Sequence, residues 1–335
     1  MIDVVNNFLK STSLALALAL GALGTLGTAA VAAASVDLSK YQRIGAYDLP
    51  IGSGANLLAD EASAVTYNWD TLTLFVVGDG GTSITQVSLK GALIDSMTLA
   101  ADASKPQGTY FHDPEGLTYV GNGQFVLSEE RTRQLNLLTY TAGTTHGAAG
   151  TQTVKLGTTI GNIGIEGVSR DPLTGGFIVA EEQRPIGLFQ TTVDFGAGTA
   201  SNGSASTFNS VNLFDPALLG VVGVNDVFSL SNLTALNGSA DFSHLLVLSA
   251  GSGRVVETDR AGKLLGSLDV GTAGQFEGMT MDDQGHLYLV GEQAGSDGRS
   301  GLWVYAAPVP EAGSWALMVG GLALLGAAAR RRAGR

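Results

Sequence analysis

The chain has 335 residues, of which 18 are Lys or Arg and 30 are Asp or Glu, for a formal net charge of −12. A hydrophobic content of 44% supports a large buried core and excludes general disorder. The acidic balance excludes a basic nucleic-acid-binding surface, and the lack of Cys excludes disulfides, thiolate metal sites and a cysteine nucleophile.

Residues 1–34 have the organisation of a secretory signal peptide. An Ala/Leu-rich run at 13–26 follows Lys10, and three alanines before Ser35 supply the small-residue cleavage pattern. A buried helix of the mature protein is the alternative. Without residues 1–34 and the C-terminal tail 311–335, the segment 35–310 has 13 basic and 28 acidic residues. This acidic balance favours a cation-binding surface over anionic partners.

The central part of the chain contains a recurring unit. Each copy has an acidic or small residue, a short apolar strand, a turn and a second apolar strand that in most copies ends in a carboxylate. The copies lie at 61–79, 113–129, 164–181, 226–250 and 275–292, and the fourth is the least regular. One position of the first strand recurs after 52, 51, 62 and 49 residues, at Ser63, Glu115, Glu166, Phe228 and Glu277.

This period is that of a β-propeller, in which a four-stranded blade takes about 40–50 residues. The apolar runs are short and rich in Val, Leu, Phe and Tyr, and no helical period replaces them. The sequence therefore predicts an all-β, five-bladed β-propeller over residues 41–306, with six blades as the alternative. We expect residues 41–50 to complete the last blade beside 302–305, and the Gly/Ser-rich stretch 196–210 to be a surface loop.

The repeat brings carboxylates to one end of the propeller. Because consecutive strands of a blade are antiparallel, the start of the first strand and the end of the second lie at the same mouth of the channel. The first-strand residues predicted as metal ligands are Glu61, Asp113, Glu115, Glu166, Asp226 and Glu277. The second-strand residues predicted at the rim are Asp79, Glu129, Glu181 and Glu292.

Carboxylates that face one axis repel each other unless a cation balances them. Ca²⁺ takes about six to eight oxygen ligands, and with four His in the chain Zn²⁺ and Cu²⁺ are disfavoured. The sequence therefore predicts a Ca²⁺ site, and the alternative is that these carboxylates pair with arginines such as Arg131 and Arg184. His112, beside Asp113, is either a general base at this mouth or a polar surface residue.

Four ordered motifs carry a resemblance to a known family. They are DPEGLTY at 113–119, QFVLSEER at 124–131, LVLSAGS at 246–252 and EGMTMDD at 277–283. Together they resemble the SdiA-regulated (YjiK-like) propeller family. The resemblance covers about residues 60–305 and implies a secreted or membrane-anchored β-propeller with a calcium-compatible channel and no established activity. The fourth copy departs from the family pattern at Phe228 and Ala250.

Residues 307–335 combine a short motif, an apolar stretch and a basic cluster. VPEA at 309–312 precedes the apolar residues 315–329 and the arginines at 330–332. The arrangement is similar to a PEP-CTERM sorting signal, although Ala312 stands where a second Pro is usual. It implies a transient inner-membrane transmembrane helix, processing by an exosortase-type enzyme, and release or display at the cell surface or outer membrane. An ordinary membrane anchor is the alternative.

Two functions from different classes fit these features. The first is an exported, non-enzymatic propeller that binds Ca²⁺ and contacts extracellular polysaccharide or a surface protein. The second is a Ca²⁺-dependent phosphoesterase or esterase related to the phytase-like propellers, in which the metal stabilises negative charge on phosphate. The second also requires Lys or Arg near the metal, and the predicted mouth offers little beyond Arg131 and Arg184. No residue is predicted to be catalytic.

Overall fold

The structure is a computed structural model that describes residues 35–159, 161, 164–182 and 185–308. The predicted signal helix and C-terminal transmembrane helix lie outside these residues. Across the described ranges, no helix is long and apolar enough to span a bilayer.

Short β-strands dominate the described chain. The strands up to residue 155 are β1 (Gln42–Asp48), β2 (Ile51–Ser53), β3 (Asn56–Leu58), β4 (Ala62–Asn68), β5 (Thr73–Gly78), β6 (Ser83–Val87), β7 (Leu93–Leu99), β8 (Pro114–Gly121), β9 (Gln124–Glu129), β10 (Gln134–Thr139), β11 (Thr145–His146) and β12 (Gln152–Lys155). The remaining strands are β13 (Ile165–Asp171), β14 (Gly176–Glu181), β15 (Gly187–Thr191), β16 (Val193–Asp194), β17 (Thr199–Ala200), β18 (Asp226–Ser229), β19 (Leu245–Ser249), β20 (Arg254–Thr258), β21 (Leu264–Asp269), β22 (Phe276–Met281), β23 (Leu287–Gly291) and β24 (Gly301–Ala306). Short 3₁₀ helices span Leu38–Lys40, Pro216–Leu219, Leu230–Asn232, Thr234–Leu236, Ala240–Ser243 and Ser296–Gly298.

These strands form five blades, which confirms the predicted all-β, five-bladed propeller. The blades are β4–β7 with β11 at the edge, then β8–β10 with β12, then β13–β15, then β18–β21, and finally β22–β24 with β1. Separate hairpins are formed by β2 with β3 and by β16 with β17. The first strands of the five blades, which we call the inner strands, are β4, β8, β13, β18 and β22. Each packs against the next, and β22 packs against β4 to close the ring.

The ring closes as the sequence predicted. Strand β1 pairs antiparallel with β24, from Gln42 opposite Ala306 to Asp48 opposite Gly301. The last blade is therefore built from both ends of the domain, and β24 is paired with a neighbour on each side. The predicted surface loop at 196–210 contains β17 and is mostly exposed.

The hydrophobic core is divided among the five seams between blades. One cluster joins Val65 and Val76 of the first blade to Val290 of the last, and four similar clusters fill the other seams. Both faces of each blade are therefore covered, and β4, β14, β19 and β23 are buried along their whole length.

Side-chain hydroxyls connect the inner strands across four of the five seams. In each of these seams a Ser or Thr hydroxyl accepts the backbone N–H of the next inner strand, at a position that we call the seam position. The acceptor–donor pairs are Thr66–Tyr119 (3.0 Å), Thr118–Arg170 (3.0 Å), Ser169–Ser229 (2.9 Å) and Thr280–Tyr67 (3.1 Å). The seam position of the fourth blade holds Phe228, and there Asp226 accepts from Met279 N at 2.7 Å instead.

Glycine after the acidic residue lets neighbouring inner strands approach closely. A Cβ on Gly278 would lie 2.7 Å from Cα of Ala64 and 2.8 Å from the carbonyl oxygen of Ser63. We therefore expect Gly278→Ala to lower the free energy of unfolding by about 1–3 kcal/mol, because the closing seam must separate. Urea unfolding measures this. Gly266→Ala, whose Cβ would meet nothing closer than 3.5 Å, is the matched control, and equal losses in both variants would contradict the packing argument.

Candidate metal centre

The inner strands bulge where the repeat places its acidic residue. The pairing with the second strand skips Ser63, Glu115 and Glu277, and in the third blade it skips Glu166 together with Gly167. A bulge re-aims a side chain and is common beside functional sites. Each of these acidic or small residues lies three positions before the seam position, so they are equivalent around the channel.

The fourth blade has Asn225 at this position. Phe228 occupies the seam position, so the sequence-based alignment of Phe228 with Glu115 is three residues too far along the chain. The amide of Asn225 donates to Glu277 Oε2 at 2.6 Å, which joins neighbouring blades. The resulting inner ring recurs after 52, 51, 59 and 52 residues, and it consists of Ser63, Glu115, Glu166, Asn225 and Glu277.

A second ring is formed by the residues that directly follow the second strands. Its members are Asp79, Glu130, Glu182, Ala250 and Glu292. Glu129 and Glu181 pair with Pro114 and Ile165 of the inner strands, as Gly78 and Gly291 do in other blades. Of the four predicted rim residues, Asp79 and Glu292 belong to the second ring, whereas Glu129 and Glu181 lie one residue earlier, inside their strands. Glu130 and Glu182, which take their places in the ring, were not among the predicted rim residues.

Glu129 and Glu181 are buried and held by the protein itself. Glu181 accepts from Arg133 Nη1 at 2.9 Å, and both side chains are almost completely buried. Glu129 accepts four hydrogen bonds, from the backbone of His112 and the side chains of Thr132, Gln134 and Asn136. Glu129 thus stabilises its own blade, while the Glu181–Arg133 pair joins the third blade to the second, as the alternative interpretation of the sequence expected for some of the acidic residues.

Burial and mutual repulsion raise the pKa values of the remaining carboxyls. The side chain of Glu115 is partly exposed to solvent, but protein atoms surround its carboxyl group. Loss of hydration is the larger cause and repulsion from Asp79 and Asp113 the smaller cause that raise the pKa of Glu115 well above the usual range. Burial followed by repulsion from Glu115 does the same to the pKa of Glu166. Burial and the charge of Glu61 raise the pKa of Asp79 to about 6.

Two more carboxyls at the mouth titrate near neutrality. Burial and the contact with Asp113 raise the pKa of Glu130 to about 8. Burial and repulsion from Glu292 raise the pKa of Glu277 to about 7. A site of this kind holds either protons or a cation, because several adjacent buried carboxylates cannot all stay charged without one.

The tightest group consists of Asp79, Asp113 and Glu115, each of which offers an oxygen within 4.8 Å of the others. Asp113 accepts hydrogen bonds from Arg131 and Gln107. Asp79 Oδ1 is buried and accepts no hydrogen bond from the described residues. An unsatisfied buried carboxylate oxygen within an all-oxygen group fits a hard cation such as Ca²⁺.

The other predicted ligands differ in position. Glu61 is exposed on the outer edge of the mouth, with its carboxylate beside Gly80. Asp226 is buried in the seam, where its two oxygens accept from Val227 N at 2.8 Å and Met279 N at 2.7 Å. The structure thus groups Asp113, Glu115, Glu166 and Glu277 with the second ring, while Arg184 lies outside the described residues.

Comparison with known proteins shows the family of the chain. Similar solved structures include a virginiamycin B lyase from Staphylococcus aureus (14% identity, 77% of this chain and 72% of that chain, TM-score 0.39). They also include a gluconolactonase from Xanthomonas campestris (14% identity, 80% and 100%, TM-score 0.44). At these values neither supports an activity for this chain. A model of the SdiA-regulated family matches residues 44–294, so the chain belongs to the SdiA-regulated family.

Proposed function

We propose that this protein binds Ca²⁺ at the acidic mouth and is an exported, non-enzymatic binding module for extracellular polysaccharide or a surface protein. The observation that carries the proposal is the unsatisfied Oδ1 of Asp79 within a group of carboxyls whose pKa values burial has raised. Protein donors reach the buried carboxylates of Glu129 and Glu181, whereas no donor among the described residues reaches Asp79 Oδ1.

The residues that would hold the ion are Asp79, Asp113 and Glu115, with the charges of Glu130, Glu166 and Glu277 nearby. Bound Ca²⁺ would neutralise their repulsion and accept further oxygen ligands, because it takes about six to eight in all. Acidic or hydroxyl-rich polymers present such oxygens. This chemistry supports a calcium-bridged contact at the mouth.

Calorimetric titration of the full chain, after removal of metals with EDTA, tests the site. We expect Ca²⁺ to bind and Glu115→Gln to weaken binding at least about tenfold, because one charged ligand is lost. Asp95→Asn is the matched control, since Asp95 is exposed on the outer strand β7 and accepts a hydrogen bond from Ser96 N. Absence of Ca²⁺ binding to the wild-type chain would refute the proposal.

Export and surface display rest on the sequence of the two ends. We propose removal of residues 1–34, transient anchoring by the C-terminal segment and processing of 307–335 by an exosortase-type enzyme. Mass spectrometry of protein recovered from the cell surface or medium tests this. An intact C-terminal tail in the mature protein would contradict the processing step.

An ester hydrolase is the second candidate, favoured by one observation at His112. Its Nε2 is buried and has no hydrogen-bond partner in the described parts of the chain. Burial lowers its pKa, so the imidazole is neutral at pH 7 and able to accept a proton. Screening the protein against phosphate and carboxylate esters separates the candidates. Turnover abolished by Glu115→Gln and by His112→Gln would favour the hydrolase.

A further inference from the structure

A second cavity lies at the end of the channel opposite the acidic mouth. Its volume is about 380 Å³, and all five blades contribute to its wall. Each inner strand begins at the mouth and ends here, so the lining includes Tyr67, Tyr119 and Arg170, which occupy one equivalent position after the seam hydroxyl. We call this cavity the basal pocket. Its volume is that of a small-molecule site.

Arg170 forms no ion pair with the described residues in the wall of the basal pocket. Its Cζ lies 5.2 Å from the centroid of the Trp69 ring, and the residue is half-buried. Among the described residues, no carboxylate lies within 4.0 Å of its guanidinium and no acceptor bonds to it. The adjacent Asp171 is occupied by Arg260, at 2.7 and 3.0 Å. Arg170 therefore keeps its donors for a ligand.

The rest of the wall is mainly aromatic and apolar. Trp69 and Tyr119 are in contact, with ring centroids 4.4 Å apart. The fourth blade adds Phe228, the residue that replaces the seam hydroxyl, and because Asp226 supplies the inter-blade hydrogen bond of this seam, Phe228 is free to form an aromatic wall. The carboxylate in the wall, Asp283, accepts from the Tyr67 hydroxyl at 3.4 Å. Flat apolar surfaces with one guanidinium suit an amphipathic anion.

We propose that the basal pocket binds a small organic anion with a flat apolar body, whose carboxylate or phosphate pairs with Arg170 while the body lies among Trp69, Tyr119 and Phe228. This site is separate from the acidic mouth and does not depend on calcium. A guanidinium pairs with either anion through parallel N–H donors, so the two head groups share one recognition chemistry.

Probe binding to the full chain tests the proposal. Indole-3-acetate is the carboxylate probe, indole-3-acetamide its neutral counterpart, and phenyl phosphate the phosphate probe, each followed by ligand-detected NMR in EDTA. We expect indole-3-acetate to bind at least about tenfold more tightly than the amide, and Arg170→Gln to remove that difference. Comparison of the two anionic probes then decides between carboxylate and phosphate head groups.

Controls keep the test specific to this pocket. Arg254→Gln changes an arginine on β20, the third strand of the fourth blade, and should leave binding unchanged, and circular dichroism shows whether each variant is folded. Trp69→Leu should weaken both indole probes. The proposal is overturned if no anionic probe binds, if the acetate and the amide bind equally to the wild-type chain, or if folded Arg170→Gln binds indole-3-acetate normally.

Discussion

Without calcium, the melting temperature is expected to fall as the pH is raised from about 6.5 to about 8.5, and saturating Ca²⁺ is expected to prevent the fall. The folded chain holds protons on Glu130, with a pKa of about 8, and on Glu277, with a pKa of about 7. The unfolded chain releases these protons near its ordinary carboxyl pKa of about 4.3. The folded state therefore binds more protons in this range, and stability decreases as pH rises.

Two histidines oppose this trend only at the lower end of the range. Burial lowers the pKa values of His112 and His146, so their opposing effect on stability fades as the pH rises above about 6.5. Glu130 and Glu277 are carboxyls of the mouth whose pKa values lie within the experimental window. Ca²⁺ binds their deprotonated forms, so its stabilisation increases with pH.

Thermal unfolding followed by circular dichroism, in EDTA and in excess Ca²⁺, measures both effects. Glu130→Gln should flatten the pH dependence in EDTA, because it removes a titrating group. Asp95→Asn, at an exposed carboxylate on β7, should leave it unchanged. A melting temperature that rises with pH in EDTA would show that the carboxyls of the mouth are not protonated in the fold.

Asp171→Asn is expected to cost about 3–5 kcal/mol of stability, because it leaves Arg260 without its buried carboxylate. Asp171 ends the inner strand of the third blade and is fully buried. Arg260, Ser229 and Ser231 reach it from the fourth blade, at 2.7, 2.8 and 2.9 Å. Burial alone would raise the pKa of Asp171, but the hydrogen bond from Arg260 and others outweigh it and lower the pKa. Its contribution is therefore lost as the pH falls below about 4.

Urea unfolding at neutral pH measures this loss. Asp194→Asn is the matched control, since Asp194 is exposed and accepts a hydrogen bond from Ala197 N at 2.8 Å, and it should cost less than about 1 kcal/mol. Equal effects of the two substitutions would contradict the view that Asp171 joins the third blade to the fourth.

The sequence predicted the architecture because the repeat is local. Each copy places short apolar strands and turns within about 50 residues, and a blade cannot cover both of its faces without neighbours. The Glu-Gly pairs at 115, 166 and 277 mark the bulged positions, where glycine lets the next inner strand approach. The closing strand β1, which pairs with the far end of the domain, was predicted for a different reason, since an unpaired edge strand invites aggregation.

What the sequence determined by itself was therefore the blade, its number of copies, and the end of the channel at which acidic residues collect. Tertiary structure decided which of them share a site: Asn225 rather than Phe228 in the inner ring, and Glu130 rather than Glu129 in the second. The physical reason is that blade strands are buried on both faces, so no alternation of apolar and polar residues reveals which way a side chain points. A shift of one residue in strand pairing reverses that direction, and only the hydrogen bonds between strands fix it.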